Sequence, residues 1–152
     1  MANLVVTHTE SLTLNGSQQG GTNTTTFTGI NEASKRMLTI TTNEATIATF
    51  SGAVGSAGHF NDGNVRYIRF TNLHATYFVA LTFTNDDSDE FAIKLDAGQS
   101  FILCGDNSTG MELIFNAIAG DAASHTALGS LTTIQADAEA STVQIEMFVA
   151  SV

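Results

Sequence analysis

The sequence has 152 residues and a formal net charge of −10, from 15 acidic and 5 basic side chains. So few basic groups exclude a role that depends on neutralising nucleic-acid phosphates, and a single cysteine excludes an internal disulfide. The length predicts one domain, residues 1–152, with a core of its own. No apolar run could span a bilayer, and no signal peptide is recognisable. We therefore expect a soluble protein made in a cytoplasm, with neither nucleic acid nor membrane as a partner.

The first quarter of the chain gives mixed signals. Residues 4–14 are predicted to form a strand, and the Asn-Gly pair at 15–16 is a turn signal. Residues 15–29 are low in complexity and do not alternate, so two interpretations stay open. One is a flexible loop; the other is an arm that becomes ordered on a neighbouring subunit, with Phe27 as its anchor. Residues 31–38 favour one short helix, since Asn31 is an acceptable N-cap.

From residue 37 onward, apolar and polar residues alternate with the period of a β-strand. The predicted strands of this part are 37–42, 45–51, 65–72, 76–84, 90–96, 99–104, 111–118, 130–137 and 141–152. With 4–14 they make about ten short strands with no helix between most of them. This organisation predicts an all-β fold, an antiparallel β-sandwich or jelly roll.

The alternation also predicts which side chains form the core. The predicted core residues are Phe83, Phe91, Ile93, Leu95, Phe101, Leu103, Val143, Ile145 and Met147. Removing a buried ring is costly, so Phe91→Ala is expected to cost about 3–5 kcal/mol of stability if Phe91 is buried.

Few residues are candidates for a catalytic or metal site. The four histidines are not spaced as zinc ligands, and the glycine-rich segment 52–60 lacks the lysine of a phosphate-binding loop. Cys104 alternates with Ile102 on a predicted strand, which indicates a small buried side chain rather than a nucleophile. We therefore predict no enzymatic activity and no cofactor.

The acidic segment at 85–90 is the one candidate for a calcium site in this sequence. Its candidate ligands are Asp86, Asp87, Asp89 and Glu90. Their spacing lacks the glycine and the distal glutamate of a calcium loop, so a solvated hairpin turn is the preferred interpretation. The chain has no tryptophan and two tyrosines, which lowers the weight of a sugar-binding cleft.

Residues 65–152 resemble small virion proteins of tailed bacteriophages of the marine type. The resemblance is carried by "VRYIRFTNLHATYFVALTF", by "FAIKLDAGQSFIL" and by the C-terminal "LTTIQADAEASTVQIEMFVASV". It implies a β-sandwich that decorates the capsid or attaches near the head–tail region in many copies, without catalytic residues. The expected partners are other copies of the chain and phage capsid or tail proteins, and the expected location is the virion.

The sequence leaves three functions to compare. The first is a capsid decoration protein on the outer shell, the second a tail or head–tail accessory protein, and the third a carbohydrate- or receptor-binding sandwich. The low charge density favours assembly, because few long charged side chains must be desolvated or immobilised. The chain also has few of the residues that usually prevent an edge strand from pairing with another chain, since it has no proline and only two lysines. The terminal strands, with Val5 and Val149, are the predicted interface candidates, together with Phe27.

Overall fold

The computed structural model describes residues 1–52, 58–105, 112–113 and 129–152. All regular structure in these ranges is β, which confirms the predicted fold class. No helix in the same ranges has the length and apolarity that a membrane span requires. The predicted strand 111–118 and His125 lie outside the described residues, except for residues 112–113.

Ten strands of five or more residues form the body of the protein and an N-terminal hairpin. They are β1 (Ala2–Thr9), β4 (Thr22–Ile30), β5 (Glu32–Ile40), β6 (Ala45–Phe50), β8 (Val65–Asn72), β9 (Val79–Asn85), β10 (Glu90–Leu95), β11 (Ser100–Cys104), β13 (Gly129–Ala138) and β14 (Val143–Ser151). Four strands of two residues complete the set: β2 (Thr13–Leu14), β3 (Ser17–Gln18), β7 (His59–Phe60) and β12 (Glu112–Leu113). The period-two pattern therefore located the long strands of the body within a few residues, except β5, of which it predicted only the C-terminal part.

Two sheets pack face to face as a jelly roll. One sheet has the order β11-β8-β14-β5, and the other has the order β10-β9-β13-β6-β7, with β12 beside β13. Every pair is antiparallel except β6 with β7. Counting the eight long strands from β5 onward in chain order, one sheet contains the first, eighth, third and sixth, and the other the second, seventh, fourth and fifth. This is the order of a jelly roll, a double-sheet fold.

The core lies between the two sheets and contains the residues that alternation predicted. The buried members of the predicted set are Phe83, Leu95, Leu103, Val143, Ile145 and Met147. Phe91, Ile93 and Phe101 are half-buried and pack against this core from its margin. Because Phe91 is only half-buried, the expected cost of Phe91→Ala falls below the value for a fully buried ring.

Residues 31–38 do not form the short helix that the sequence favours. They belong to β5, which pairs with β14 over nine consecutive positions, from Glu32 with Ser151 to Ile40 with Val143. The local signal for a helix was one N-cap residue, and it is overridden by this long ladder.

The C-terminal strand does not lie at a sheet edge, which corrects a second expectation. β14 is hydrogen-bonded to β5 on one side and to β8 on the other. Val149 is 1% exposed, inside the core. A lysine at Val149 would therefore bury a charge in the core and unfold the protein. It would not block the pairing of a sheet edge with another chain, because β14 is not at an edge.

Candidate functional site

The N-terminal residues form a long two-stranded arm. β1 pairs with β4, with Leu4 opposite Phe27 and Thr9 opposite Thr22. β2 and β3 continue in the same register, with Thr13 opposite Gln18. The turn is made by Asn15 and Gly16, whose φ angles of 51° and 79° match a type I′ turn. The predicted turn is thus confirmed, and the loop interpretation of residues 15–29 is wrong, because most of them are strand.

The two faces of the arm differ in chemistry. One face carries a ladder of hydroxyl and amide groups, with Thr7 against Thr24 and Thr9 against Thr22. Such cross-strand polar pairs stabilise a ribbon that has no core of its own. By strand alternation the other face carries Leu4, Val6, His8, Glu10, Leu12 and Leu14. The second face is therefore the one that can bury apolar surface.

The base of the arm rests on the outer face of the β11-β8-β14-β5 sheet. Phe27 is 2% exposed, and its ring centroid lies 6.0 Å from that of Tyr67. The ring of Phe148 lies 6.0 Å from Tyr67 on another side. Leu4 and Val6 pack against the same small cluster. Phe27 is thus an anchor within its own chain, which corrects its assignment to a neighbouring subunit.

Beyond this base the arm is surrounded by solvent. Residues 8–23, here called the arm tip, are exposed except for half-buried Gly20. Leu12 and Leu14 are 55% and 56% exposed. Two leucines on one face of a projecting hairpin cost solvation free energy unless something covers them. The arm tip is accordingly the first part of a candidate assembly site.

The arm tip depends on a glycine at one position, which gives a testable prediction. A Cβ on Gly20 would lie 2.0 Å from the carbonyl oxygen of Glu10, whereas a Cβ on Gly21 would meet nothing within 4 Å. We expect Gly20→Ala to push the two strands apart and destabilise the arm tip by about 1–3 kcal/mol. Amide hydrogen exchange at Glu10 and Gln19, which donate to Gly21 and Leu12 across the arm, should become faster.

Gly21→Ala is the matched control. It should leave the free energy of opening, measured from that amide exchange, within about 0.5 kcal/mol of the wild type. The melting of the body should not change in either variant, because the arm tip does not pack on it. Equal exchange in the two variants would show that the strands of the arm tip are not held at the described distance.

The second part of the candidate site is a cleft at the open side of the jelly roll. It lies between β5 of one sheet and β6 of the other and has a volume of about 470 Å³. Its walls are mostly aliphatic and threonine side chains. The lining residues are Arg36, Leu38, Thr39, Ile40, Thr41, Ala45, Thr46, Ile47, Ala48, Thr49, Gly58, His59 and Ala136. The cleft is therefore of mixed polarity, and Arg36 and His59 are the ionisable side chains among its described lining residues.

Arg36 is unusual among the basic residues, all of which lie in the described ranges. Lys35 and Arg69 bind Glu146, Lys94 binds Asp96 at 2.8 Å, and Arg66 donates to backbone carbonyls. Among the described residues, three buried guanidinium atoms have no hydrogen-bond acceptor: Arg36 Nη1, Arg66 Nε and Arg69 Nε. Arg66 and Arg69 have acceptors at other nitrogen atoms, and Arg36 is the one that lies in the cleft. A buried donor without an acceptor costs about 1–3 kcal/mol, and more when it is charged. The cleft thus holds a cation that lacks a partner in the described chain.

Glu146 occupies the outer face of the sheet, away from the cleft. Its carboxylate accepts from Lys35 at 2.8 Å and also binds Arg69. The hydrogen bond from Lys35 is the main cause that lowers the pKa of Glu146. Lys35 and Arg69 thus share one carboxylate, although the Nε atom of Arg69 has no acceptor among the described residues. Arg36 is the basic residue that lies in the cleft.

The other predicted candidates separate into two groups. Val5 is 58% exposed on β1, so its place at an interface stays a prediction. The acidic residues Asp86, Asp87, Asp89 and Glu90 are exposed around the β9–β10 turn. There the carboxamide of Asn85 accepts from the Asp89 backbone N–H at 2.7 Å. No three acidic, histidine or cysteine side chains converge into a metal site anywhere in the described ranges.

Cys104 is exposed, which corrects the prediction that it is buried. Its neighbour Leu103 points into the core, so Cys104 at the end of β11 points to the outer face. Partial desolvation still raises the pKa of its thiol, which disfavours the reactive thiolate. His74 has a structural role, since its Nδ1 atom accepts from the N–H groups of Thr76 and Tyr77.

Sequence reasoning missed Arg36, Leu12 and Leu14 as candidate functional residues. A signal was present, because Glu10, Leu12 and Leu14 follow one another at spacing two, as do Arg36, Leu38 and Ile40. Both series read charged, apolar, apolar along one face of a strand. The second series was hidden because its segment was assigned in part to a helix.

Comparison with known proteins gives little further information. No family model matches the sequence, and no curated protein matches it. Among solved structures, a protein described under the heading "Bacillus endospore appendages form a novel family of disulfide-linked pili" is similar at a TM-score of 0.43 and 9% identity. The match covers 100% of this chain and 91% of that chain. A similarity at this level does not indicate a function.

Proposed function

We propose that this chain is a non-enzymatic structural protein of a bacteriophage virion, a capsid decoration protein that binds the outer shell in many copies. The observation that carries the proposal is the arm tip, which presents Leu12 and Leu14 to solvent on a hairpin end that the described residues leave exposed. The exposed leucines of such a hairpin are removed from water when another surface covers them, which adds to its stability.

Three further features support the proposal. Double-sheet jelly rolls are found in viral capsid and lectin domains. The net charge of −10 suits an outer face that points away from packaged nucleic acid. The third feature is the resemblance of residues 65–152 to small phage virion proteins. Because one fold serves many functions, the arm carries more weight than the topology.

The experiment compares purified phage particles that carry the gene with particles from which it has been deleted. We expect mass spectrometry to find the chain in the first particles in many copies, and immunogold labelling to place it on the shell. Label on the tail would instead favour the tail or head–tail accessory function. Absence of the chain from purified particles would overturn the proposal.

Added recombinant protein provides a second measurement. The wild-type chain should co-sediment with particles that lack the gene product, and Leu12→Ser with Leu14→Ser should co-sediment less. Leu73→Ser is the matched control, since Leu73 is 50% exposed but lies after β8, outside the arm. Equal loss with the control would show that general surface hydrophobicity, not the arm, causes binding.

A carbohydrate- or receptor-binding module remains the second candidate, because lectin domains share the jelly-roll fold. The cleft is large enough for part of a small ligand, but its described lining contains no phenylalanine or tyrosine that could stack on a sugar ring. A glycan array with and without calcium tests this candidate. Binding that is lost when Asp87 is replaced by asparagine would favour it over shell decoration.

A further inference from the structure

The arm tip and the cleft have matching patterns. Glu10, Leu12 and Leu14 lie on one face of the arm at spacing two, and the latter two are more than half exposed. On β5, Arg36, Leu38 and Ile40 face the cleft at the same spacing. In an alignment of the two segments in the same direction, the carboxylate lies next to the guanidinium and each leucine lies next to an aliphatic residue.

Both segments also have an open edge. Within the described strands, β5 is hydrogen-bonded only to β14, and β1 and β2 are hydrogen-bonded only to β4 and β3. The opposite edge of each therefore presents backbone N–H and C=O groups that can pair with another strand. Adding a strand to an exposed edge is a common mode of recognition, in which alternate side chains enter pockets and give specificity.

We infer that residues 10–14 of one copy add to the open edge of β5 in a second copy, parallel to it. Glu10 of the arm then supplies the acceptor that Arg36 Nη1 lacks, and Leu12 and Leu14 enter the cleft beside Leu38 and Ile40. The chain cannot fill its own cleft in the described conformation, because the base of its arm is held on the outer face of the sheet by Phe27.

The charge balance supports this choice of occupant. The chain has 15 acidic and 5 basic residues, and four of the basic residues are already bonded within the chain. Arg36 is the remaining one in the described structure, and it lies in the cleft, the second of the two parts of the candidate site. A charge pair at an open edge selects the register and direction of the added strand.

The consequence is a head-to-tail assembly. Each copy gives an arm to one neighbour and receives an arm from another, so the contact is heterologous and builds a ring or a chain of copies. This inference rests on the proposed function in one respect, namely that the chain acts in many copies. Beyond the proposed function, it identifies the residues that join one copy to the next.

Charge reversal tests the contact on the purified full-length protein. Glu10→Arg places two cations at the contact, and Arg36→Glu places two anions there. We expect each variant alone to self-associate at least about tenfold more weakly than the wild type, measured by light scattering from micromolar to millimolar concentration. A one-to-one mixture of the two variants should associate again, and so should the double variant with both changes.

Two controls keep the test decisive. Asp87→Arg makes the same change of net charge as Glu10→Arg at an exposed turn outside the arm and the cleft, and it should associate as the wild type does. If Arg36→Glu fails to fold, Leu12→Ser with Leu14→Ser replaces it, because both positions are exposed and the body should stay intact. That variant should also lose association.

Three results would overturn the inference. They are a wild-type chain that is monomeric at millimolar concentration, single variants that associate like the wild type, and folded single variants that do not associate when mixed. A chain that is found in phage particles but gives one of these results would overturn the contact alone. The proposed function would then stand without it.

Discussion

Replacing Phe83 by alanine is expected to lower the free energy of unfolding by about 3–5 kcal/mol, the range for a fully buried ring. Phe83 lies on β9 with no exposed surface. Its ring stacks on that of Phe91 at 4.8 Å and contacts that of Phe101 at 5.8 Å. Its removal leaves a cavity that rigid strands on both sides cannot fill. Urea denaturation followed by circular dichroism measures the loss.

Phe91→Ala is the matched control for this prediction. Phe91 is the other member of the stacked ring pair, but it is half-buried on β10. Its removal should cost roughly half as much, because less apolar surface returns to water and solvent can enter the space. Equal losses for the two variants would contradict the described position of the core boundary.

Replacing Asn72 by alanine is expected to destabilise the protein by about 3 kcal/mol or more. Asn72 ends β8 with no exposed surface. Its Nδ2 group donates to the carbonyl oxygens of Tyr77 and Leu95 at 2.9 and 3.0 Å, and its Oδ1 atom accepts from the His74 N–H at 2.9 Å. Alanine removes three hydrogen bonds at once, and each buried group left without a partner costs about 1–3 kcal/mol.

Asn43→Ala serves as the control, since Asn43 is exposed in the turn between β5 and β6. That change should stay within about 0.5 kcal/mol. Asn72→Asp is a second comparison, because it keeps the acceptor for His74 but places a carboxylate beside two carbonyl oxygens. A loss below about 1 kcal/mol for Asn72→Ala would mean that this side chain does not join the ends of β8 and β10.

The sequence contains a signal for the structural role of Asn72 that is easy to overlook. Phe-Thr-Asn occurs at 70–72 and again at 83–85, and in both places the asparagine ends a strand and is buried. Asparagine is disfavoured within strands but bonds readily to nearby backbone. A repeated strand-ending asparagine could therefore have been predicted as a turn organiser, though its partners could not.

Local chemistry alone determined most of the strands of this protein. Alternation located β8 at residues 65–72 and β9, β10, β11 and β13 within a few residues, because a two-sided sheet demands that pattern wherever one face is buried. The turn at Asn15 and Gly16 followed from the φ angles that these residues tolerate. These features depend on neighbours in the sequence, so the sequence displays them.

Only the tertiary structure decided the rest. Residues 31–38 became strand, and β14 became an interior strand, because each pairs with segments about 70 or more residues away. Phe27 is buried by Tyr67 and Phe148 of its own chain, a contact that local periodicity does not encode. The cleft exists because β5 and β6 end different sheets at the same side of the jelly roll. Whether Arg36 has a partner depends on which strands surround it, and that is fixed by the long-range pairing of the fold.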